Sequence, residues 1–308
     1  MTAAPTVLFD APGPKAKRLY SIIGVVSVII GLALLYLIYR GLSKPANNQF
    51  TAEKWMPFLT GEAWTAYLIP GIVATLQAAA ISVVLAAVLG IILGMGRLSQ
   101  LAPVRWVCGI FVEFFRSVPV LMMMLFSYYF GLFAIGITGP SLSLFGVVAG
   151  LTFYNACVIA ELIRSGVHSL PRGQGEAGLA IGMTPRQTLT TILLPQAITA
   201  MLPSIISQLV VILKDSALGY IISYSELIRA GQNFSTSKGN LIPTLIVVAV
   251  LFIVINYGLT RVARLLETRL QRSGRGPRGR PADPLMDPAM APGAAAASST
   301  TGGTAGPA

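Results

Sequence analysis

The stretch GEAGLAIGMTPRQTLTTILLPQA, residues 175–197, is a short polar-edged segment set between long apolar runs, and its punctuation is that of two helices joined by a tight turn. Gly182 stands where a first short helix ends, because glycine takes the left-handed conformation of a helix C-terminus at little steric cost. Thr184-Pro185-Arg186-Gln187 reads as the start of the next helix. Thr184 is the N-cap, Pro185 fills the first helical position and Gln187 completes a capping box. Pro195 marks a further boundary, close to where the chain returns to apolar sequence. The whole connection is about 35 residues long, a length at which connections are usually functional or unstructured, and the capping signals argue for structure. The segment therefore predicts a helix–turn–helix projection suited to docking a soluble partner. An amphipathic connector lying on the bilayer is the alternative reading.

The surroundings are those of a membrane protein. Of 308 residues, 54% are hydrophobic and only 11% charged, against roughly 25% charged in soluble domains. Six apolar runs, near residues 19–39, 67–96, 111–137, 141–160, 196–213 and 241–258, are long enough to cross a hydrocarbon core of ~30 Å at ~1.5 Å per helical residue. Residues 1–18 form a polar N-terminal segment, and the run after them is too long for a signal peptide. Trp55 and Trp64 lie in the connection 40–66 as interfacial anchors. The pairs Gly90/Gly94 and Gly146/Gly150 have the small-xxx-small spacing of close helix contacts, a spacing that also arises by chance in glycine-rich membrane helices. Six spans put both termini on one side. The segments on that side hold 16 Lys and Arg and those on the other hold 6, which places both termini and residues 175–197 in the cytoplasm. The net charge of +11 lies between and beyond the apolar runs, so it orients the chain in a membrane and does not point to nucleic acid. Residues 261–308 read as a tail, first basic and then disordered. Cys108 and Cys157 give neither a disulfide framework nor metal-ligand spacing.

The quoted stretch resembles the EAA loop of permease (transmembrane) subunits of ATP-binding cassette importers: Glu-Ala-Ala, three residues, Gly, nine residues, Ile-x-Leu-Pro. Here Glu176-Ala177-Gly178 is followed by Gly182 and by Ile192, Leu194 and Pro195 at matching spacing. Gly178 departs from the pattern's second Ala, a change expected to loosen the first short helix by up to ~1 kcal/mol. GIVATLQAAAISVVLAAVLG (71–90), FVEFFRSVPVLMMMLFSYYFGL (111–132), ACVIAELIRSGVHSLPRGQGEAG (156–178), LPQAITAMLPSIISQLVVILKDSALGYI (194–221) and SELIRAGQ (225–232) are similar to successive blocks of the polar-amino-acid subfamily, most like actinobacterial glutamate permeases.

The resemblance implies an all-α integral membrane protein with a type I importer (MetI-like) transmembrane domain over residues 67–260. Five core helices are joined there by one extra N-terminal transmembrane helix, 19–39. Glu176, Ala177, Gly178, Gly182, Thr184, Pro185, Ile192, Leu194 and Pro195 would form cytoplasmic coupling helices gripped by a separate ATPase. The implied partners are ABC ATPase subunits, a second permease subunit (sister or self), an extracytoplasmic substrate-binding protein, the amino-acid substrate and membrane lipid. The implied location is a bacterial cell (inner) membrane. No cofactor is expected on this chain; ATP and Mg would sit on the ATPase, consistent with the absence of a GxxxxGK[ST] loop.

The charges within the spans are few. Lys214 and Asp215 end an apolar run and are the candidate substrate-path residues. Lys214 either lines an outer vestibule and attracts a substrate carboxylate or, more plainly, pairs with Asp215 or reaches the interface. Glu161 and Arg164, three apart, suggest a local pair. Glu113 and Arg116 have the same spacing and read as an anchor at the inner interface. Met122-Met123-Met124 points round its helix and forms no stripe, and His168 is a solvated flank residue. No catalytic residue and no metal site is expected: one histidine and two separated cysteines leave little for an enzyme. An ion-coupled secondary transporter or channel, the competing class, would leave the 175–197 segment unexplained and lacks paired broken helices.

Overall fold

The apolar runs fold as helices. They are α1 (Pro14–Leu42), α2 (Ala63–Arg97), α3 (Ala102–Ser117), α4 (Val120–Ile135), α5 (Pro140–Ser169), α6 (Arg172–Ala180), α7 (Pro185–Ile222), α8 (Leu227–Lys238) and α9 (Leu241–Gly274). The computed structural model describes residues 13–44 and 48–274, and among these there is no strand. The expected N-terminal segment, up to residue 12, and the expected disordered tail, from residue 275, lie outside the described residues. The tail boundary at 260 falls inside α9, which continues to Gly274. Among the described residues five helices are long and apolar enough to cross a membrane, or six if the bent pair α3 and α4 counts as one span.

That pair is sharply bent. The apolar run at 111–137 predicts one span, but α3 and α4 meet at 105°. The cause is local. Val118 precedes a proline and is pushed out of the helical region, to φ −89° and ψ 130°, and Pro119 is also extended at ψ 136°, as the ring of a proline imposes on its predecessor. The charged residues Glu113 and Arg116 therefore belong to a separate helix, α3, and the apolar run continues after the corner as α4.

α5 is the centre of the bundle, packed against α2, α4 and α7. Small residues set the spacing. A Cβ on Gly90 would lie 2.8 Å from the Ile159 side chain of α5, and one on Gly150 would lie 2.7 Å from Met124 Cα of α4. Both small-xxx-small pairs are thus contacts at which two backbones meet, the arrangement by which helices associate in lipid. Met123 and Met124 are buried while Met122 is exposed, so the three face different directions round the helix. Cys157 is buried and Cys108 half-buried, both as free thiols.

Pro195 does not end a helix. α7 runs through it, because a π-helical turn over Thr188–Leu193 precedes it. The wider turn re-routes the backbone just where proline has no N–H to donate, so the helix continues into the membrane-length segment.

Candidate coupling elbow and membrane cleft

α6 and the first turns of α7 form an elbow beyond the end of α5. Gly182 has φ +84°. Its N–H donates to Leu179 O at 3.0 Å, and the next N–H, of Met183, reaches back to Gly178 O at 3.1 Å. This is the paired closing pattern of a left-handed helix C-terminus. Thr184 then caps α7: Gln187 N–H donates to Thr184 Oγ1 at 3.3 Å, and Thr184 N–H donates to Gln187 Oε1 at 2.8 Å. The residues whose patterning predicts the turn are the ones that form it.

Gly178 does more than loosen α6. It is buried, and a Cβ there would lie 2.7 Å from Thr188 Cγ2 and 3.1 Å from Ile192 Cδ1. The missing methyl lets the two arms of the elbow approach across Thr188, itself buried with no hydrogen-bond partner for its hydroxyl among the described residues. Gln196 Nε2 donates to Gln174 Oε1 at 3.3 Å and adds a polar tie between the arms. The outer surface carries Glu176, Ala177, Thr184 and Pro185 exposed, with Leu179 50% and Ile181 76% exposed. Ile192 and Leu194 are half-buried, and Pro195 is exposed.

Near the elbow end of the bundle lies an ion cluster that the sequence spacing reveals only in part. Glu161 pairs with Arg164 at 2.6 Å, as its spacing predicts, but also with Arg97 at 2.5 Å and, loosely, with Arg116 at 3.6 Å. Arg97 further binds Glu113 at 3.0 Å. Arg97 thus ties α2, α3 and α5 together, a role that residues 16 and 64 positions away give no local signal for.

Arg116 also faces a cleft of 370 Å³ at the α3–α4 bend, shared with Ser117, Tyr154, Gln208 and Asp215. Gln208 is fixed by donating to Asn155 Oδ1 at 2.6 Å, and the buried Asn155 donates to Leu151 O at 2.7 Å. The two candidate path residues part company here. Asp215 lines the cleft, half-buried, while Lys214 is exposed outside it, and no Lys214–Asp215 ion pair forms among the described residues.

At the opposite end, Glu226 caps α8 by accepting the N–H groups of Ile228 and Arg229 at 2.8 and 2.7 Å. The start of α8 is pinned to α2, since Leu227 N–H donates to Thr75 Oγ1 and Tyr224 Oη donates to Ala74 O. Glu226 is fully buried, and burial pushes its carboxyl up to about 7. No group of three or more potential metal ligands occurs among the described residues.

Comparison with known proteins fits this architecture. The profile of the family described as binding-protein-dependent transport system inner membrane component matches residues 86–272. The chain is 48% identical over 230 residues to the glutamate transport system permease protein GluD of Corynebacterium glutamicum, covering 74% of this chain and 84% of that one. It is 31% identical to the glutamate/aspartate import permease protein GltK of Escherichia coli over 66% of this chain and 93% of the relative. A solved structure of an amino acid ABC transporter with histidines superimposes with a TM-score of 0.61 at 26% identity, covering 67% of this chain and 95% of that one. With its multi-pass helical bundle, its elbow between α5 and the membrane-length part of α7 and a profile match across most of the bundle, this chain belongs to the family of inner-membrane permease components of binding-protein-dependent ABC importers.

Proposed function

We propose that this chain forms the translocation path of an ATP-driven importer for glutamate and receives its mechanical work through the 172–197 elbow. The observation that carries the reading is the elbow itself: a double-capped, rigid projection whose exposed Leu179 and Ile181 offer an apolar face to a soluble partner. Exposed apolar surface of that kind marks a docking site. The partner is a separate ATPase, which holds ATP and Mg and supplies the work of hydrolysis. A second permease subunit completes the membrane pore, and an extracytoplasmic binding protein delivers the substrate. The excess of Lys and Arg on the elbow side, 16 to 6, supports an orientation with the elbow and both termini in the cytoplasm of a bacterial cell (inner) membrane. Glutamate is favoured because the relatives at 48% and 31% identity are named for it. Asp215 belongs to the path in this reading, and Lys214 flanks it.

Reconstitution with ATPase and binding protein tests the function: glutamate uptake should require ATP hydrolysis and be outcompeted by glutamate ahead of arginine or histidine. Uptake by this chain alone, driven by an ion gradient, would make it a secondary transporter. Gly182→Val tests the coupling. Apart from its own chain neighbours, nothing among the described residues lies within 4 Å of a Cβ at Gly182, so the change acts on backbone conformation, and a β-branched residue resists the positive φ. Membrane insertion should persist while co-purification with the ATPase is lost, and Gly182→Asn, which tolerates that conformation, should retain it. Retention of the ATPase by the valine variant would remove the elbow from the coupling path.

A further inference from the structure

We infer that the turn Met56–Leu59, in the connection between α1 and α2, dips into the phospholipid leaflet at the end of the bundle opposite the elbow and anchors there a collar that holds α8. The inference needs only that the bundle crosses a membrane and does not depend on which solute it carries.

The connection is folded. A short α-turn, Ala52–Trp55, runs directly into a 3₁₀ turn, Met56–Leu59. Side chains three apart in a 3₁₀ turn eclipse one another, and here they sort into two pairs. Trp55 and Phe58 turn inward: Phe58 is buried, its ring 6.3 Å from that of Trp55 and 5.1 Å from that of Phe234 on α8. Met56 and Leu59 turn outward, 64% and 87% exposed. Trp55, which the sequence offers as an interfacial anchor, is thus engaged in packing against the collar's own core, and the apolar pair beside it takes the outward position.

Polar ties fix the collar to its neighbours. Asn240 Nδ2, just past α8, donates to Lys54 O at 3.0 Å, Lys238 pairs with Glu62 at 3.3 Å, and Ile242 N–H donates to Gln49 Oε1 at 3.2 Å. Trp64, at the start of α2, donates its Nε1–H to Phe58 O at 2.9 Å. The outward pair is therefore held at the level where α2 and α9 begin, the level at which Ile69 and Leu241 open the exposed apolar surface of those two helices.

That position and the local charge favour lipid as the occupant. Arg40, Lys44 and Lys54 make no ion pair among the described residues, whereas Glu62 is paired with Lys238. The charge around the ridge thus suits the phosphates of a leaflet surface, with the apolar pair reaching below them. A soluble protein that docks and leaves would return Met56 and Leu59 to water between visits, and an exposed apolar ridge of this kind calls for a permanent cover. A leaflet is always present.

The test is spin labelling of the permease, assembled with a cysteine-free ATPase, in vesicles of phosphatidylglycerol and phosphatidylcholine. Single cysteines enter as Met56→Cys or Leu59→Cys in a Cys108→Ala, Cys157→Ala background. Both labels should collide more often with oxygen, which concentrates in lipid, than with a water-soluble nickel chelate, and should lie ~5–10 Å below the phosphates, the depth to which interfacial apolar faces sink. Leu59→Asp should move a label at 56 to the aqueous side, and Leu59→Phe should keep it in lipid. The labels replace exposed side chains, so the depth measurement stands even if the aspartate variant fails to assemble. Labels that meet the nickel chelate more often than oxygen overturn the inference, and if added binding protein then shields them, the ridge is a docking site for that protein. Shielding from both reagents without binding protein also overturns it and shows that another subunit covers the ridge. ATP-driven uptake by the same vesicles reports on the transport reading independently of either result.

Discussion

Glu226 shows what a single buried charge does to this molecule. Its carboxylate accepts two backbone N–H groups at the start of α8 and has no cation within reach among the described residues. Desolvation outweighs those hydrogen bonds and raises its pKa from 4.5 to about 7. An acid whose folded-state pKa is raised binds its proton more tightly when folded. Its contribution to stability is complete below the unfolded value near 4.5 and is lost as pH rises through about 7. The full effect is about 3 kcal/mol as an order of magnitude. Thermal inactivation of the complex should therefore shift to lower temperature between pH 5 and pH 8, and Glu226→Gln should flatten that dependence while keeping one capping acceptor. An unchanged slope in the variant would show that other groups set it. Nothing in SELIRAGQ announces this role, because Thr75 and Ala74, which hold the site closed, come from a helix about 150 residues earlier.

At the scale of elements, the elbow was the most legible part of the chain and also held its least legible contact. Gly182, Thr184, Pro185 and Gln187 act within a few residues of one another, so sequence spacing carries their geometry. The Gly178–Thr188 contact lies between two helices, and propensity alone misreads it. Helix propensity predicts that restoring Ala at 178 firms α6 by up to ~1 kcal/mol. Packing predicts the opposite, since the new Cβ would sit 2.7 Å from Thr188 Cγ2 and 2.9 Å from its Oγ1. Overpacking of this kind costs about 1–3 kcal/mol, so packing wins. Gly178→Ala should weaken ATPase co-purification and lower the inactivation temperature of the complex. Adding Thr188→Ala should restore both, because it removes the opposing methyl and an unpartnered buried hydroxyl. A stabilised single variant, or additive losses in the double variant, would show that the two arms do not interlock. The α3–α4 break has a similar history. Val118-Pro119 carries the signal for it, but the apolar count across 111–137 hides a corner that only backbone geometry reveals.

For the whole molecule, run lengths locate the long apolar helices, whereas they say nothing of how those helices pack. Lipid-facing and protein-facing helix surfaces are equally apolar, so hydropathy cannot say which helix is central. α1 and α5 are both long and apolar, yet 61% of the most apolar window of α5 is buried and none of that of α1. No residue of α1 is buried, and its closest ring contact is Tyr39 with Phe50, at 5.5 Å, in the segment that follows it. The bundle from α2 to α9 is closed by its own contacts: Arg97 across α2, α3 and α5, the glycine contacts on α5, and the Thr75–Leu227 tie to α8. Removing residues 1–44 should therefore leave the inactivation temperature, ATPase co-purification and ATP-driven uptake of the complex unchanged. It also removes one crossing, so the new N-terminus must lie on the side opposite the elbow, while the basic residues around the elbow and α9 keep those segments where they were. Protease accessibility in sealed vesicles reads both ends independently. Loss of uptake with the bundle still folded would mean that α1 packs against another subunit of the assembly, and an inverted elbow would mean that α1 sets the orientation of the whole chain.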